Sequence, residues 1–457
     1  MVSLGPEGEI GELRWRTVTI PGGLFDELHA IVIYPADPAV MAWNDGAPVI
    51  VVAPPNFTLD PTLSSAPKPV FDARYGVIEV QPVYPGWTVG GVTTSGALDD
   101  GGLNSGSALS ETIRFAAGLV SLDRGTTLGH IVERPICNSR VGLLGVGTGG
   151  VTIMEALAPV AAVGVNTVGF ALFEVPTLPQ LITGDVGTVW MDPDPSADGD
   201  GNGIAWDDGR NIDWYEGDCD TINCALDYED VAWDAATHPS DVFPGRYEGA
   251  PPGVLYLDRS GSGALEIAEG GGLDVDADGV VDSRDDFVLL PHYASDGGVY
   301  YNSHLTRFAE EELASWPAGV ATLAESEAFW GTRTVMEEGR VVIAQYDPEF
   351  AVVVAFTEED SLLAVADRPQ AVMAHDLFAE AGWSARYNLR GAALNCLVDP
   401  STSGGWAGGP PRGTVLEEGD TQAWAIPEVL DADAAALAGL SLLWDAFGAF
   451  DRCPGAE

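Results

Sequence analysis

RVGLLGVGTGGVTIMEALA, residues 140–158, is the stretch on which the fold reading turns. Arg140 to Val146 is an apolar run of strand length, and Val151 to Ala158 carries apolar residues at helical spacing. Between them GVGTGG supplies a tight turn, because clustered glycines punctuate regular structure and admit close backbone approach. A buried strand, a turn and a helix start are therefore predicted in direct succession. The central position of the turn is Gly147, with Thr148 after it.

Upstream, LRWRTVTIPG and DELHAIVIYPAD alternate polar and apolar residues around a Gly-Gly turn, the pattern of an antiparallel hairpin. APVIVVAPPNF and YGVIEVQPVYPG are continuous apolar runs, as fully buried parallel strands are. SALSETIRFAAGLV follows at helical spacing, with Ser107 as candidate N-cap and Glu111 in the expected first turn. Strands that alternate with helices imply βαβ crossovers and a mostly parallel sheet. After AAVGVNTVGFALF the rhythm stops, and the chain becomes rich in Asp, Gly, Pro and Trp. It resumes with FAVVVAFTEED, the helix RPQAVMAHDLFAEAGW, the strand SARYNL and an amphipathic C-terminal helix. The fold class is α/β: a mostly parallel sheet flanked by helices, with a long irregular insertion before the penultimate strand. Residues 1–171 and 346–457 form the two parts of the main domain, and 172–345 form an acidic insertion.

This order of hairpin, βαβ units, strand–turn–helix, cap, strand, acid and last strand resembles the α/β-hydrolase fold of serine esterases and peptidases. GVGTGG is similar to the G-x-S-x-G-G turn that carries the nucleophile there. The resemblance implies a nucleophile at Gly147, which has no side chain to attack with. It implies an acid at Asp360 in FTEEDSLL, or Glu359 if the register slips by one, and a histidine after the last strand. All six histidines precede that strand; the last is His375. The Thr148 backbone N–H supplies half of an oxyanion pocket; Pro55 has no N–H, so the other half falls to Asn56 or Phe57. Without a hydroxyl no acyl intermediate forms, and without a base no water is activated. The resemblance thus implies a degenerate triad and a non-catalytic binding or structural protein. The alternative is a secreted esterase or peptidase that uses atypical residues such as Thr148.

The insertion carries two acidic loops. In LDVDADGVVDSRDDF, Asp274, Asp276 and Asp278 take positions 1, 3 and 5 of a calcium loop. Gly279 gives the turn, Val280 a carbonyl, and Asp282 and Asp285 fall at positions 9 and 12. The aspartate at position 12 is the form found in dockerin-like loops. ADGDGNGIAWDDG offers a weaker copy, with Asp198, Asp200, Asn202 and the Ile204 carbonyl. A structural Ca²⁺ that clips a cap too polar to fold alone is the expectation. Trp206, Trp214 and Trp233 are candidates for that cap's core or for stacking on sugars. The sequence RSGSGALE around Ser260 and Ser262 reads as a loop rather than a second serine motif.

Composition limits the partners. Lys and Arg total 20 against 69 Asp and Glu, a formal charge of −49, with Lys68 as the sole lysine. Such a surface repels nucleic-acid phosphates and anionic lipid. It suits divalent cations, or solubility in the cytoplasm of a salt-adapted organism. No apolar run reaches the roughly 18 residues of a membrane span. The candidate ligand at the cap is a small molecule, a peptide or a glycan. Cys219 with Cys224, and Cys396 with Cys453, are candidate disulfides, which favour an extracellular or envelope location. MVSLGPEGEIGELRW has neither a basic n-region nor an apolar h-region, so a signal peptide is not expected within it.

Overall fold

The computed structural model describes residues 4–175 apart from 22–23, 40–45, 56–66, 123–124, 163–166 and 174. Further on it describes 215–216, 225–226, 231–242, 251–258, 261–267, 287–289, 291–294, 297–301, 303–313, 317–346, 351–355, 374, 377–379 and 381–387. The chain forms two compact units. The first combines 1–175, 335–357 and 374–457; the second combines 176–334 and 358–373.

A nine-stranded sheet organises the first unit. Its strands are β1 (Leu4–Ile10), β2 (Leu13–Ile20), β3 (Leu28–Pro35), β4 (Ala47–Ala53), β5 (Ile78–Val83), β6 (Ile136–Val146), β7 (Thr167–Phe173), β8 (Ala351–Ala355) and β9 (Ser384–Tyr387). They lie in the order β1-β2-β3-β5-β4-β6-β7-β8-β9. The first three are antiparallel to their neighbours, as the hairpin reading requires. From β5 through β4 to β9 every pairing is parallel. β4 and β5 are buried along their whole length, the condition that lets a strand be apolar on both faces. Helices α1 (Leu103–Ala116), α2 (Gly149–Ala162) and α3 (Val335–Gln345) accompany the sheet, with α2 packed against both others. The insertion enters between β7 and β8, before the penultimate strand. The arrangement is α/β, a mostly parallel sheet accompanied by helices.

Three details depart from the sequence reading. β1 was not expected, because LGPEGEI has no apolar alternation. As an edge strand it is protected instead by Pro6, Glu7, Glu9 and a register irregularity between Leu4 and Glu7. α1 begins at Leu103 rather than at Ser107, and Asp99 performs the capping. Its carboxylate accepts from the N–H of Asn104 and Ser105 and from the Ser105 hydroxyl. Glu111, well inside the helix, pairs with Arg114 at 2.8 Å. Finally, α3 lies in the first unit, whereas the sequence assigned residues up to 345 to the insertion. Cys137 on β6 is buried and disulfide-bonded. The other four cysteines lie outside the described residues. The candidate pairings Cys219–Cys224 and Cys396–Cys453 lie there as well.

The second unit has its own apolar core, which the sequence reading of a polar cap did not anticipate. Val231–Asp234, Val254–Leu257 and Phe287–Leu289 form a three-stranded antiparallel sheet. Helices Ser303–Glu312 and Leu323–Gly331 belong to the same unit. Val254, Leu255, Val288, Leu289, Tyr301 and Leu305 are among its buried core residues. Tyr301 ties these elements together. Its hydroxyl accepts from the Leu255 N–H at 3.0 Å, and its carbonyl accepts from Ser326 Oγ and Trp330 Nε1. Trp233 packs against the core, and a Cβ at Gly253 would overlap its ring. That position is a core position rather than a sugar platform. Asp258 holds the loop after the second strand by accepting from the N–H of Ser262 and Gly263. Ser262 itself donates to the Ala264 carbonyl, as a loop residue.

Candidate site at the strand–helix turn

The turn between β6 and α2 is the feature around which chemistry would be organised, because it ends a central strand at the carboxyl edge of the parallel sheet. Gly147 is at its apex with φ +51, in the left-handed region. Gly150 N–H donates to the Gly147 carbonyl at 3.1 Å and Val151 N–H to the Thr148 carbonyl at 3.2 Å, which starts α2 immediately after the bend.

The glycines of GVGTGG are there for different reasons. A Cβ at Gly145 would overlap the Gly150 backbone, and one at Gly150 would overlap the Val175 side chain. At Gly149 it would collide with the carbonyl oxygens of Ala53 and Pro54 at the end of β4. These three positions let strand, turn and helix approach one another. At Gly147, by contrast, a Cβ would meet only Pro55, at 3.5 and 3.7 Å, an ordinary contact. The single position with room for a side chain is the one that would carry a nucleophile, and it has none. Thr148 is buried, at 4% exposure.

Tyr84, which sequence reasoning passed over, belongs to this region. It follows β5 directly, is fully buried, and donates its hydroxyl to the Pro54 carbonyl at 3.3 Å. Burial pushes its phenol upward; a hydrogen bond with Thr152 of α2 works against this, and the Asp99 charge adds to it. Trp87 meets it edge-on at 5.3 Å. An aromatic residue directly after a largely apolar strand was the available signal.

His29 sits on β3 opposite Val83, at the same edge of the sheet but three strands from β6. At about 4.8 Å per strand that is roughly 14 Å, beyond proton-transfer reach. Thr19 Oγ1 and the His29 ring are 3.2 Å apart, and burial lowers the imidazole against the opposing influence of Glu27.

The remaining candidates lie outside the described residues. They are Asp360 and Glu359, Asn56 and Phe57, the loop ligands Asp274, Asp276, Asp278, Val280, Asp282 and Asp285, and Asp198, Asp200, Asn202 and Ile204 of the second loop. Among the described residues no cluster of histidine, cysteine or carboxylate side chains could hold a metal. No described helix is long and apolar enough to cross a membrane. One open groove of about 570 Å³ lies at the opposite edge of the sheet, lined by β1, β2 and residues 131–134. Four of its charges are paired across strands, Glu7 with Arg16 and Glu9 with Arg14, and Glu133 and Arg134 line it as well.

No protein-family model matches the chain, and no curated protein matches it. Among solved structures it is similar to the rice cell wall degrading esterase LipA from Xanthomonas oryzae, at 10% identity and a TM-score of 0.35 over 82% of each chain. A mutant of esterase rPPE gives 10% identity and 0.33, over 82% of this chain and 71% of that one. A bacterial heroin esterase gives 14% and 0.26 over 38% of this chain, which spans about half (48%) of that enzyme.

Proposed function

We propose that this chain is an α/β-hydrolase-like protein that binds a ligand without cleaving it, with Ca²⁺ as a structural ion in the second unit. The observation that carries the reading is the turn at Gly147: sterically open, left-handed and without a nucleophilic atom. The sequence supports it independently, since no histidine follows His375 to serve as a base. Calcium is favoured by the oxygen spacing of Asp274, Asp276, Asp278, Asp282 and Asp285 and of Asp198, Asp200 and Asn202. The disulfide at Cys137 is in keeping with an extracellular or envelope setting. The net charge of −49 disfavours nucleic acid as a partner and favours a small-molecule, peptide or glycan ligand.

The test is labelling of the full chain with a fluorophosphonate probe. The expected result is no modification above a heat-denatured control. Stoichiometric labelling of any serine or threonine overturns the proposal and supports an esterase or peptidase with atypical residues.

A further inference from the structure

At the amino-terminal edge of the parallel sheet, the open groove of about 570 Å³ is built on one face of β1, β2 and β3. Strand pairing sets its side chains in two rows. Glu9, Arg14 and Tyr34 are successive cross-strand partners, and Glu7 and Arg16 form the next row. Trp15, between the two arginines in sequence, falls on the other face and packs against the cluster of Leu13, Ile31 and Ile33. Residues 131–134, which lead into β6, complete the groove with the exposed side chains of Glu133 and Arg134.

Charge and hydrogen bonding both single out this groove. Its described lining carries as many arginines as glutamates, in a chain whose net charge is −49. An anion, repelled by the surface at large, finds no local excess of positive charge here. A cation is drawn to the acidic surface everywhere and has no reason to settle here. The polar groups are also uncommitted. The side chains of Arg134 and Tyr34 bond to no other described residue. Elsewhere Arg114 and Arg307 are held by glutamates at 2.8 and 3.1 Å, and Arg333 lies 3.7 Å above the Phe329 ring. Arg14 is 3.5 Å from Glu9 with both side chains more than half exposed, and Glu7 beside Arg16 is equally open. Exposed pairs of this kind add little to stability, so turning them toward a ligand costs little.

We propose that this groove is a second binding site, separate from the turn at Gly147, for a neutral polyhydroxylated ligand, a short glycan chain. A guanidinium only donates and a carboxylate only accepts, whereas every sugar hydroxyl does both. Neighbouring hydroxyls of one ring can therefore accept from Arg14 or Arg134 and donate to Glu9 or Glu133. Tyr34 adds a hydroxyl that serves either way and a flat ring on which the apolar face of a pyranose rests. The volume lies in the range of small-ligand clefts, roughly 300–1,000 Å³. An extended peptide fits less well, because the edge strand it would pair with carries Pro6 and a register irregularity between Leu4 and Glu7. The site stands whether or not the turn at Gly147 is catalytic.

The measurement is isothermal titration of the full chain with neutral cellotriose, maltotriose and xylotriose, with anionic trigalacturonate, and with an uncharged Thr-Val repeat peptide. At least one neutral trisaccharide is expected to bind with a Kd at or below about 1 mM. Because that ligand has no charge, its affinity should change less than about twofold between about 0.1 and 0.5 M salt. Arg134→Ala and Tyr34→Phe should each weaken it about fivefold or more, while Arg307→Ala in the second unit leaves it unchanged. Neither groove variant removes a contact with a described residue, so unfolding midpoints should hold. Should Arg134→Ala move the midpoint, Tyr34→Phe, which removes a single oxygen, decides. Failure of all three neutral trisaccharides to bind overturns the proposal. So does binding that survives both groove variants, or tighter binding of trigalacturonate or of the peptide.

Discussion

Replacement of Gly147 by serine separates the structural role of the turn from its chemical one. The new Cβ would lie 3.5 Å from Pro55 Cγ, so there is no overpacking to relieve. The cost is conformational: φ +51 is a left-handed angle, worth about 1–2 kcal/mol for a residue with a side chain. Gly149→Ser has a different ledger. Its Cβ would fall onto the carbonyl oxygens of Ala53 and Pro54, so β4 and α2 must separate, at roughly 3 kcal/mol or more. Urea unfolding, read on a signal specific to the first unit, should therefore rank Gly147→Ser as mild and Gly149→Ser as severe, a gap of about 2 kcal/mol. Equal losses for the two variants would refute the steric partition. The same Gly147→Ser protein tests the chemistry. It gains a hydroxyl at the apex, but His29 is three strands away. Fluorophosphonate labelling should stay at the level of the parent chain. Rapid labelling would mean that another group acts as the base and would count against the proposed non-catalytic reading.

Other consequences are local. Asp99→Ala removes the acceptor for two N–H groups of α1 and for the Ser105 hydroxyl. It should cost about 1–2 kcal/mol in the first unit, while Asp99→Asn recovers part of the loss in the same urea titration. Thr322 caps Leu323–Gly331 in a reciprocal box with Glu325. Thr322→Ala should cost about 1 kcal/mol in the second unit and leave the first unit's midpoint in place. For Glu79, whose carboxyl burial on β5 raises to about 7, the folded value lies above the unfolded one, so its contribution is full below about 4.5 and is lost as pH rises through 7. At about 1.4 kcal/mol per unit the first unit should lose on the order of 3 kcal/mol across that window, and unfolding midpoints of Glu79→Gln should be flat in it. For the calcium proposal, millimolar Ca²⁺ should raise the thermal midpoint of the second unit and chelator should lower it. No shift in either direction counts against both loops.

What the sequence displayed, and what it concealed, follows from where each residue spends its burial. β4 announces itself because both of its faces are covered and every position is apolar, and β6 does so over Val141–Val146, which is apolar or glycine throughout. β1 does not, because an edge strand resists aggregation by carrying Pro6, Glu7 and Glu9 in place of an alternating pattern. The second unit's core was missed for a related reason. Its strands run only three or four residues, too short for periodicity, and its stability passes through Tyr301, whose partners Leu255, Ser326 and Trp330 are distant in sequence. Asp99 was invisible as a cap because it acts from outside the helix it serves.

GVGTGG is where the limit is sharpest. Its four glycines are one letter in the sequence, yet three of them answer to neighbours that cannot be read locally: Gly145 to Gly150, Gly149 to the end of β4, and Gly150 to Val175. Only Gly147 answers to its own φ. A serine there would have been tolerated by the space and opposed only by the angle, so packing does not explain its absence. The glycine relieves a strain that a catalytic residue would have to bear for the sake of its reaction. Once no reaction depends on the side chain, the relaxed residue is the more stable choice. The room above the turn is bounded by Pro55.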